Sequence, residues 1–452
     1  MIEPMTLALL AQTYGGTLLY PDCSFQGVST DTRTLTEGDL FVALRGEHFD
    51  AHDFLETAAM KACGLVVERP DKQLNLPQWV VADTTQALAQ IALLARQQFT
   101  GKVIAITGSS GKTSVKEMTA AILGRIGPTL ATRGNLNNHI GVPLTLLSLE
   151  KQHRFAVIEM GASGPGEIAY LCAIARPHIS MVNNVMPAHI EGFGSLEVIA
   201  DTKSDIYNAL PPSGVAVMNR DERWARKWRN KVSCDRIWDF SLVDRDAEFH
   251  AGQIEDLGGA ASRYLLKTPE GETTVQLPLP GRHNVANSLA AAACAMAAGA
   301  DLEAVVAGLA SLKAVKGRMQ EFGGRGGSRI IDDSYNANPG SVKAAIDVLA
   351  ARPGRRVLVL GDMAELGIGA AQMHREVGAH ARERNIDELW VTGRFATSTA
   401  QGFGPGARVV EGKDALAAQL AATLDPDTVV LVKGSRSSAM EDIVHLITEE
   451  GG

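Results

Sequence analysis

The densest chemistry in this sequence lies at Gly108-Ser-Ser-Gly-Lys-Thr-Ser114. It sits between an apolar run, Val103-Ile-Ala-Ile-Thr107, and a helix-forming stretch from Val115 to Leu123. Glycines let backbone amides curl toward phosphate oxygens, and the N-terminus of a following helix adds a favourable dipole. Gly108, Ser109, Ser110, Gly111 and Ser114 therefore read as a phosphate-binding loop, with Lys112 as the point charge for β- and γ-phosphates and the Thr113 hydroxyl as a Mg²⁺ ligand. The usual eight-residue pattern carries glycine where this chain has Ile106, so the loop is a shortened variant. A Gly-Ser turn before a solvated lysine is the competing reading, and the strand before and helix after weigh against it. A nucleotide site with a cation also needs ligands at neighbouring strand ends. Glu159 closes the buried run Phe155–Glu159, and His189 follows the next strand at a similar depth. By themselves, His189 reads as a hydrogen-bonded loop histidine and Lys203 as a solvated helix cation.

The elements that must position these groups alternate. Apolar runs at 103–107, 155–159, 179–185 and 215–218 are separated by helical stretches, which argues for a mostly parallel sheet covered on both faces. Before them, residues 1–82 read as a small α/β unit with short strands at 38–44, 64–67 and 79–82. The apolar spacing of Ala87, Leu88, Ile91 and Leu94 predicts a helix over 83–100, and the Ala-rich stretch from Asn284 to Gly299 predicts another. The pattern restarts near 314, with strands expected at 330–333, 357–361, 389–393 and 429–433, each ending in polar residues or glycine. The expected fold is thus α/β in three domains: 1–82, 83–313 around the phosphate loop, and a Rossmann-like 314–452.

Composition narrows the function classes. The chain has 452 residues with 45% hydrophobic and 21% charged residues, which suits several globular cores rather than disorder. Its net charge of −8, and aromatics that do not interleave with basic runs, argue against nucleic acid. The first 32 residues lack Lys and Arg, so no signal-peptide n-region is expected. The longest low-polarity stretch, Leu289 to Ala300, is too short to span a membrane. Five scattered cysteines without a CxxC pair imply neither a disulfide framework nor a zinc site. A soluble protein of the reducing cytoplasm is expected.

The motifs together resemble the Mur ligase family of ATP-dependent amide-forming enzymes. The resemblance runs from about Asp31 to Glu441. In order, it covers the phosphate loop, Thr132-Arg-Gly-Asn-Leu-Asn-Asn138, Glu159-Met-Gly161, the His189 loop, Lys203, Asn219-Arg-Asp221 and Gly281-Arg-His-Asn-Val-Ala-Asn287. Lys203 is followed by Ser204-Asp205, where relatives often carry a small residue and Glu. Three C-terminal segments, Asp332-Asp-Ser-Tyr-Asn-Ala-Asn-Pro339, Leu360-Gly-Asp-Met-Ala-Glu-Leu-Gly367 and Lys433-Gly-Ser-Arg-Ser-Ser-Ala-Met-Glu441, are similar to the branch that adds D-alanyl-D-alanine to a UDP-N-acetylmuramoyl-tripeptide.

The resemblance implies a cytoplasmic step of peptidoglycan precursor synthesis through an acyl phosphate, by a monomer using ATP and two Mg²⁺ ions. It implies that Lys112 and the loop amides neutralise phosphates, that Thr113 and Glu159 hold one Mg²⁺, and that His189 joins a second. It further implies carbamylation of Lys203 into a carboxylate-like ligand. His283, Asn284 and Asn287 match an adenine-side motif, although Asn284 suits a helix N-cap equally well. Arg318 and Asp333 match residues that reach the γ-phosphate and ribose. Thr30, Asp31, Arg33 and Gly46 match the uridine-diphosphate motif, and Asn137 and Asn138 join the substrate side. Asn336, Asn338, Lys433, Ser435 and Arg436 would line the face that receives amine and peptide; Asn338-Pro339 is also a plain turn. Three alternatives stay open here: the sibling ligase adding a third, diamino acid; a different P-loop NTPase; and a non-catalytic sugar-nucleotide-binding module.

Overall fold

The computed structural model describes residues 1–448, organised around sheets of five, nine and six strands. The five-stranded sheet runs Thr17–Leu19, Gln78–Val80, Gly64–Val67, Leu40–Val42, Val28–Ser29, parallel except at its first pair. Gly64–Val67 is buried at all four positions, as a parallel strand covered on both faces must be. Helix Thr84–Gln98 starts where the Asp83 carboxylate accepts the amides of Thr85 and Gln86. It buries Leu88 and Ile91 in a cluster shared by Phe25 and Trp79 on one side and Leu146 and Leu171 on the other.

The nine-stranded sheet holds the phosphate loop. Strand Lys102–Thr107 lies between Phe155–Glu159 and Ile179–Val182. The chain leaves it for the edge strand Thr129–Ala131, returns through Phe155–Glu159, then crosses to the opposite side. Strand order reverses there, so the carboxyl end of Lys102–Thr107 is a topological switch point, where open α/β sheets leave a crevice. All four expected central strands form.

The sheet also continues through Arg236–Ser241, Phe249–Asp256, Ser262–Thr268 and Gly271–Leu277, an extension the sequence reading did not anticipate. Its last pairs are antiparallel. Ser262–Thr268 buries only alternate side chains, among them Tyr264 and Leu266, and turns Arg263 outward, so no continuous apolar run marks it. The buried face packs on the Ala-rich helix Arg282–Ala297.

The six-stranded sheet runs Gln320–Gly323, Arg329–Asp333, Thr428–Lys433, Arg355–Leu360, Glu388–Val391, Ala407–Val409, antiparallel only at the first pair. Asp333 and Lys433 are register partners at adjacent carboxyl ends. Its two apolar clusters draw their buried residues from position 330 onward.

Candidate active site

A cavity of about 570 Å³ lies against the switch point, between the nine-stranded and six-stranded sheets. Its floor is the Gly108–Ser114 loop, which leads into helix Lys112–Leu123. Gly111 takes φ +77°, and a Cβ there would come within 2.6 Å of both the Asn183 and Asn287 side-chain amides, so no other residue fits. Two asparagines after Ile179–Val182 pin the loop. The Asn184 Oδ1 accepts the Ser110 amide at 2.8 Å, and the Asn183 Nδ2 donates to the Ser110 carbonyl and to Asn287 Oδ1, both at 2.9 Å. Ser109 is held by the Met186 backbone through its hydroxyl.

Lys112 folds back on its own loop, its Nζ donating to the Gly108 carbonyl at 2.8 Å. Desolvation lowers its pKa, Glu159 opposes that shift and Arg318 adds to it. The Thr113 hydroxyl donates to Glu159 Oε2 at 2.9 Å and accepts from Arg318 at 3.0 Å. Asn137 donates to the other Glu159 oxygen at 2.7 Å. Hydroxyl, carboxylate, amide and guanidinium thus converge from four separated segments. Ser114 and Asn138 line the same cavity.

Lys203 lies on helix Leu196–Asn208, 3% exposed and facing the cavity. Among the described residues it has neither an ion pair nor a hydrogen bond. Burial drives its pKa well below the lysine range, the Lys112 charge pushes the same way, and Glu167 opposes. The solvated-cation reading is therefore replaced: Ser204 is buried beside it, so the Ser204-Asp205 departure leaves Lys203 on the inner face. His189 caps a short helix in a left-handed conformation and lines the cavity, but its Nδ1 contacts Glu365 on the far side of the cleft.

The Ala-rich helix contributes His283, Asn284 and Asn287. Its N-cap is Gly281, and Asn284 instead donates to the Pro280 carbonyl at 2.8 Å, so the capping reading fails. Burial lowers the His283 pKa; Asp333 raises it and Lys433 lowers it further. From the six-stranded sheet come Arg318, stacked 4.2 Å from the Tyr335 ring centroid, and the Asp333–Lys433 pair at 2.5 Å. Lys433 also donates to the Asn336 carbonyl at 2.9 Å. Asn338 is the N-cap of helix Pro339–Ala350, in a capping box with Ser341. Asn336, Asn338 and Arg436 line the cavity, whereas Ser435 stands behind it, its hydroxyl turned to Ser438 at 2.9 Å.

The Thr30, Asp31, Arg33 and Gly46 group is not brought to this cavity. The Asp31 carboxylate takes both Nε and a terminal nitrogen of Arg33, which holds its pKa down at about 2. The Gly46 amide closes a turn onto the Phe49 carbonyl at 2.7 Å. Sequence reasoning missed Asn183 and Asn184, and it quoted Asn219 only within a motif. Asn219 donates to the Asn183 carbonyl at 2.8 Å. The Asn183-Asn184 dipeptide directly after an apolar run was the available signal.

Comparison with known proteins matches two family profiles: residues 106–295 to the Mur ligase middle domain and residues 317–436 to the Mur ligase, glutamate ligase domain. The UDP-N-acetylmuramoyl-tripeptide–D-alanyl-D-alanine ligase of Escherichia coli K12 is 47% identical over 452 residues, covering 99% of each chain. A crystal structure of MurF from Acinetobacter baumannii superposes with TM-score 0.92 at 38% identity, covering 98% of each chain. MurF ligase from Thermotoga maritima, solved in complex with ADP, superposes with TM-score 0.83 at 29% identity, over 93% of this chain and 96% of that one.

Proposed function

The chain belongs to the Mur ligase family, and from that premise we propose that it joins D-alanyl-D-alanine to UDP-N-acetylmuramoyl-tripeptide, converting ATP to ADP and phosphate. The observation that carries the reading is the convergence of Lys112, Thr113, Glu159 and Arg318 at a switch-point phosphate loop, facing Asp333 and Lys433 across one cleft. The sibling reading loses ground because full-length relatives at 34–47% identity carry the D-alanyl-D-alanine ligase name.

A carboxylate is a poor electrophile. The tripeptide's terminal carboxylate oxygen attacks the γ-phosphorus of ATP, ADP leaves, and an acyl phosphate remains. The dipeptide amine then attacks the activated carbonyl and gives up a proton, and phosphate departs with the C–O bonding pair. Both steps gather negative charge, so fixed cations and amides contribute most of the stabilisation. Lys112 and the amides of Gly108–Ser114 meet the β- and γ-phosphates; Arg318 and Asp333 reach the γ-phosphate and ribose; His283, Asn284 and Asn287 flank the adenine.

The donor set fits Mg²⁺ for one site. Thr113 and Glu159 offer adjacent hard oxygens, and Mg²⁺ commonly completes its shell with phosphate oxygens and water. Bound there, it would draw charge from the phosphate oxygens. The unpartnered Lys203 amine, its charged form disfavoured by burial, is suited to add CO₂ as a neutral nucleophile and release a proton, leaving a carbamate. His189, whose Nδ1 contacts Glu365, would offer its other ring nitrogen to a second cation.

We read residues 1–82, 83–313 and 314–452 as the three domains, with Thr30, Asp31, Arg33 and Gly46 on the uridine diphosphate, Asn137 and Asn138 beside the sugar-peptide, and Asn336, Asn338, Lys433, Ser435 and Arg436 toward the amine. The enzyme works as a cytoplasmic monomer; no described helix is long and apolar enough to cross a membrane. The test is phosphate release with UDP-muramoyl-tripeptide in the presence of D-alanyl-D-alanine, of single amino acids, or of no acceptor. Release that is equal in all three cases sinks the reading.

A further inference from the structure

All five cysteines are free thiols, and three of them, Cys172, Cys234 and Cys294, are buried. The other two, Cys23 and Cys63, are half-buried, and although far apart in the chain their side chains share a hydrogen bond. Both pack against the apolar cluster that holds Trp79 and Leu88.

A different sheet carries each of them. Cys23 precedes Ser24–Phe25, which pairs with Met5–Thr6 as a separate two-stranded sheet, and its carbonyl accepts the Leu7 amide at 3.3 Å. Cys63 leads into Gly64–Val67 of the five-stranded sheet, and its amide donates to the Asp39 carbonyl at 2.9 Å. Gly64 makes the approach possible. A Cβ there would stand 2.7 Å from Cys23 Sγ and 3.0 Å from Leu7 Cδ1, so any larger residue would push the Cys23 sulfur away. Thiols already in contact on two anchored backbones need side-chain rotation, rather than a shift of the sheets, to join.

The contact is asymmetric. Accepting the Cys23 S–H holds the Cys63 thiol below the ordinary cysteine value, against the effect of burial. The same bond, then burial, push Cys23 above that value. Cys63 is therefore the sulfur that reaches the nucleophilic thiolate, with Cys23 as the thiol beside it. A bond between them closes a ring over residues 24–62. That ring contains Thr30, Asp31, Arg33 and Gly46, the whole uridine-side group proposed above, and none of the phosphate loop.

We propose that Cys23 and Cys63 are a site of oxidation by hydrogen peroxide, and that their disulfide ties the two sheets together and locks the segment between them. The Cys63 thiolate attacks one peroxide oxygen. The S–O bond forms, the O–O bond breaks, and the departing hydroxide takes up a proton as water, leaving a sulfenic acid. The Cys23 sulfur then attacks the Cys63 sulfur, its proton passing to the hydroxide that leaves as the S–O bond breaks. Two thiols lose two electrons, and one hydrogen peroxide becomes two waters. A small thiol of the glutathione class reverses the link by exchange.

The test treats reduced full-length protein, and Cys23→Ser and Cys63→Ser variants with unchanged circular dichroism, with a small molar excess of hydrogen peroxide. The parent chain should lose two hydrogens by intact mass, and tryptic mapping should place the link between the peptides that contain Cys23 and Cys63. Cys172, Cys234 and Cys294 should remain open to alkylation after denaturation. Dimedone should label Cys63 in Cys23→Ser at least about tenfold more than Cys23 in Cys63→Ser. Because the ring restricts the unfolded chain, the linked protein should melt about 3–8 °C higher than the reduced one. Amides in 24–62 should exchange more slowly with those of Gly108–Ser114 unchanged, and dithiothreitol should reverse every change. Absence of the link, a link to a buried cysteine or to a second chain, equal dimedone labelling of the two variants, or a linked chain that melts no higher than the reduced one overturns the proposal.

Discussion

Lys112 and Lys203 face the same cavity, and their surroundings differ. Lys112 has Glu159 to oppose its desolvation and a loop carbonyl to hold its Nζ. Lys112→Ala should cut turnover by about 10²–10³-fold, the usual cost of one transition-state donor, with an unchanged circular-dichroism spectrum. Near-normal turnover would remove the phosphate loop from the mechanism. Lys203 has burial and a like charge against it. Its folded pKa lies below the unfolded value of 10.5, so between the two the unfolded chain binds more protons and stability rises with pH. Lys203→Met should flatten that rise and stabilise the apo protein at pH 7.5 by about 1–3 kcal/mol, while nearly abolishing turnover. Denaturant midpoints at pH 7.5 and 9.5 in bicarbonate-free buffer check the first part. Lys203→Ala tests the carbamate, since acetate should restore some activity and ethylamine none. Lys112 was legible from spacing because its neighbours are its context. The burial of Lys203 was not, since a lone lysine on a helix says nothing of which face it occupies.

At the scale of elements, the clearest strands in the sequence were those buried on both faces. Phe155–Glu159 and Gly64–Val67 appear within the expected bounds because each is a continuous apolar run. The Arg236–Leu277 extension was invisible because half of its side chains face water. Likewise Asn183 and Asn184 became meaningful only once Ile179–Val182 proved to lie beside the strand before the loop. The same neighbourhood holds a proton-sensitive joint. The His178 backbone bonds to Val103 and Val215, and its ring Nδ1 accepts the Val103 amide at 3.0 Å. Burial, then Arg96 and Lys102, lower its pKa from 6.5 to about 4. In that window the unfolded chain binds more protons, so this contribution to stability is present above pH 6.5 and lost as pH falls through 4. Thermal midpoints from pH 7 to 4 should fall less steeply in His178→Gln, and an NMR titration of the ring should centre well below 6. An unshifted ring titration would rule out this joint.

For the whole molecule, the distribution of apolar clusters decides which parts stand alone. The sequence marks residues 1–82 as a small α/β unit, and its Phe25, Val66 and Trp79 share a cluster with Leu88, Leu146 and Tyr207 of the central part. Removing residues 1–82 would strip the lid from that cluster and expose helix Thr84–Gln98. At roughly 25 cal/mol per Å² of apolar surface, each such side chain is worth about 1.5–3 kcal/mol, so a few of them together are comparable with the 5–15 kcal/mol by which a domain is stable. The C-terminal sheet differs, since its buried clusters are its own. It meets the rest through polar contacts such as Arg318 to Thr113 and Arg352 to the Gly258 carbonyl, which suit a domain that closes on bound ligands. A chain ending at residue 313 should therefore fold and bind UDP-muramoyl-tripeptide with an affinity within about tenfold of the full chain. It should release no phosphate, because Arg318, Asp333 and Lys433 are gone. A chain beginning at residue 83 should lack a cooperative unfolding transition. Calorimetry and thermal melts on the two chains separate the cases. A cooperative melt for the second chain would show the shared cluster to be dispensable, and absent binding by the first would move the uridine end out of the N-terminal part.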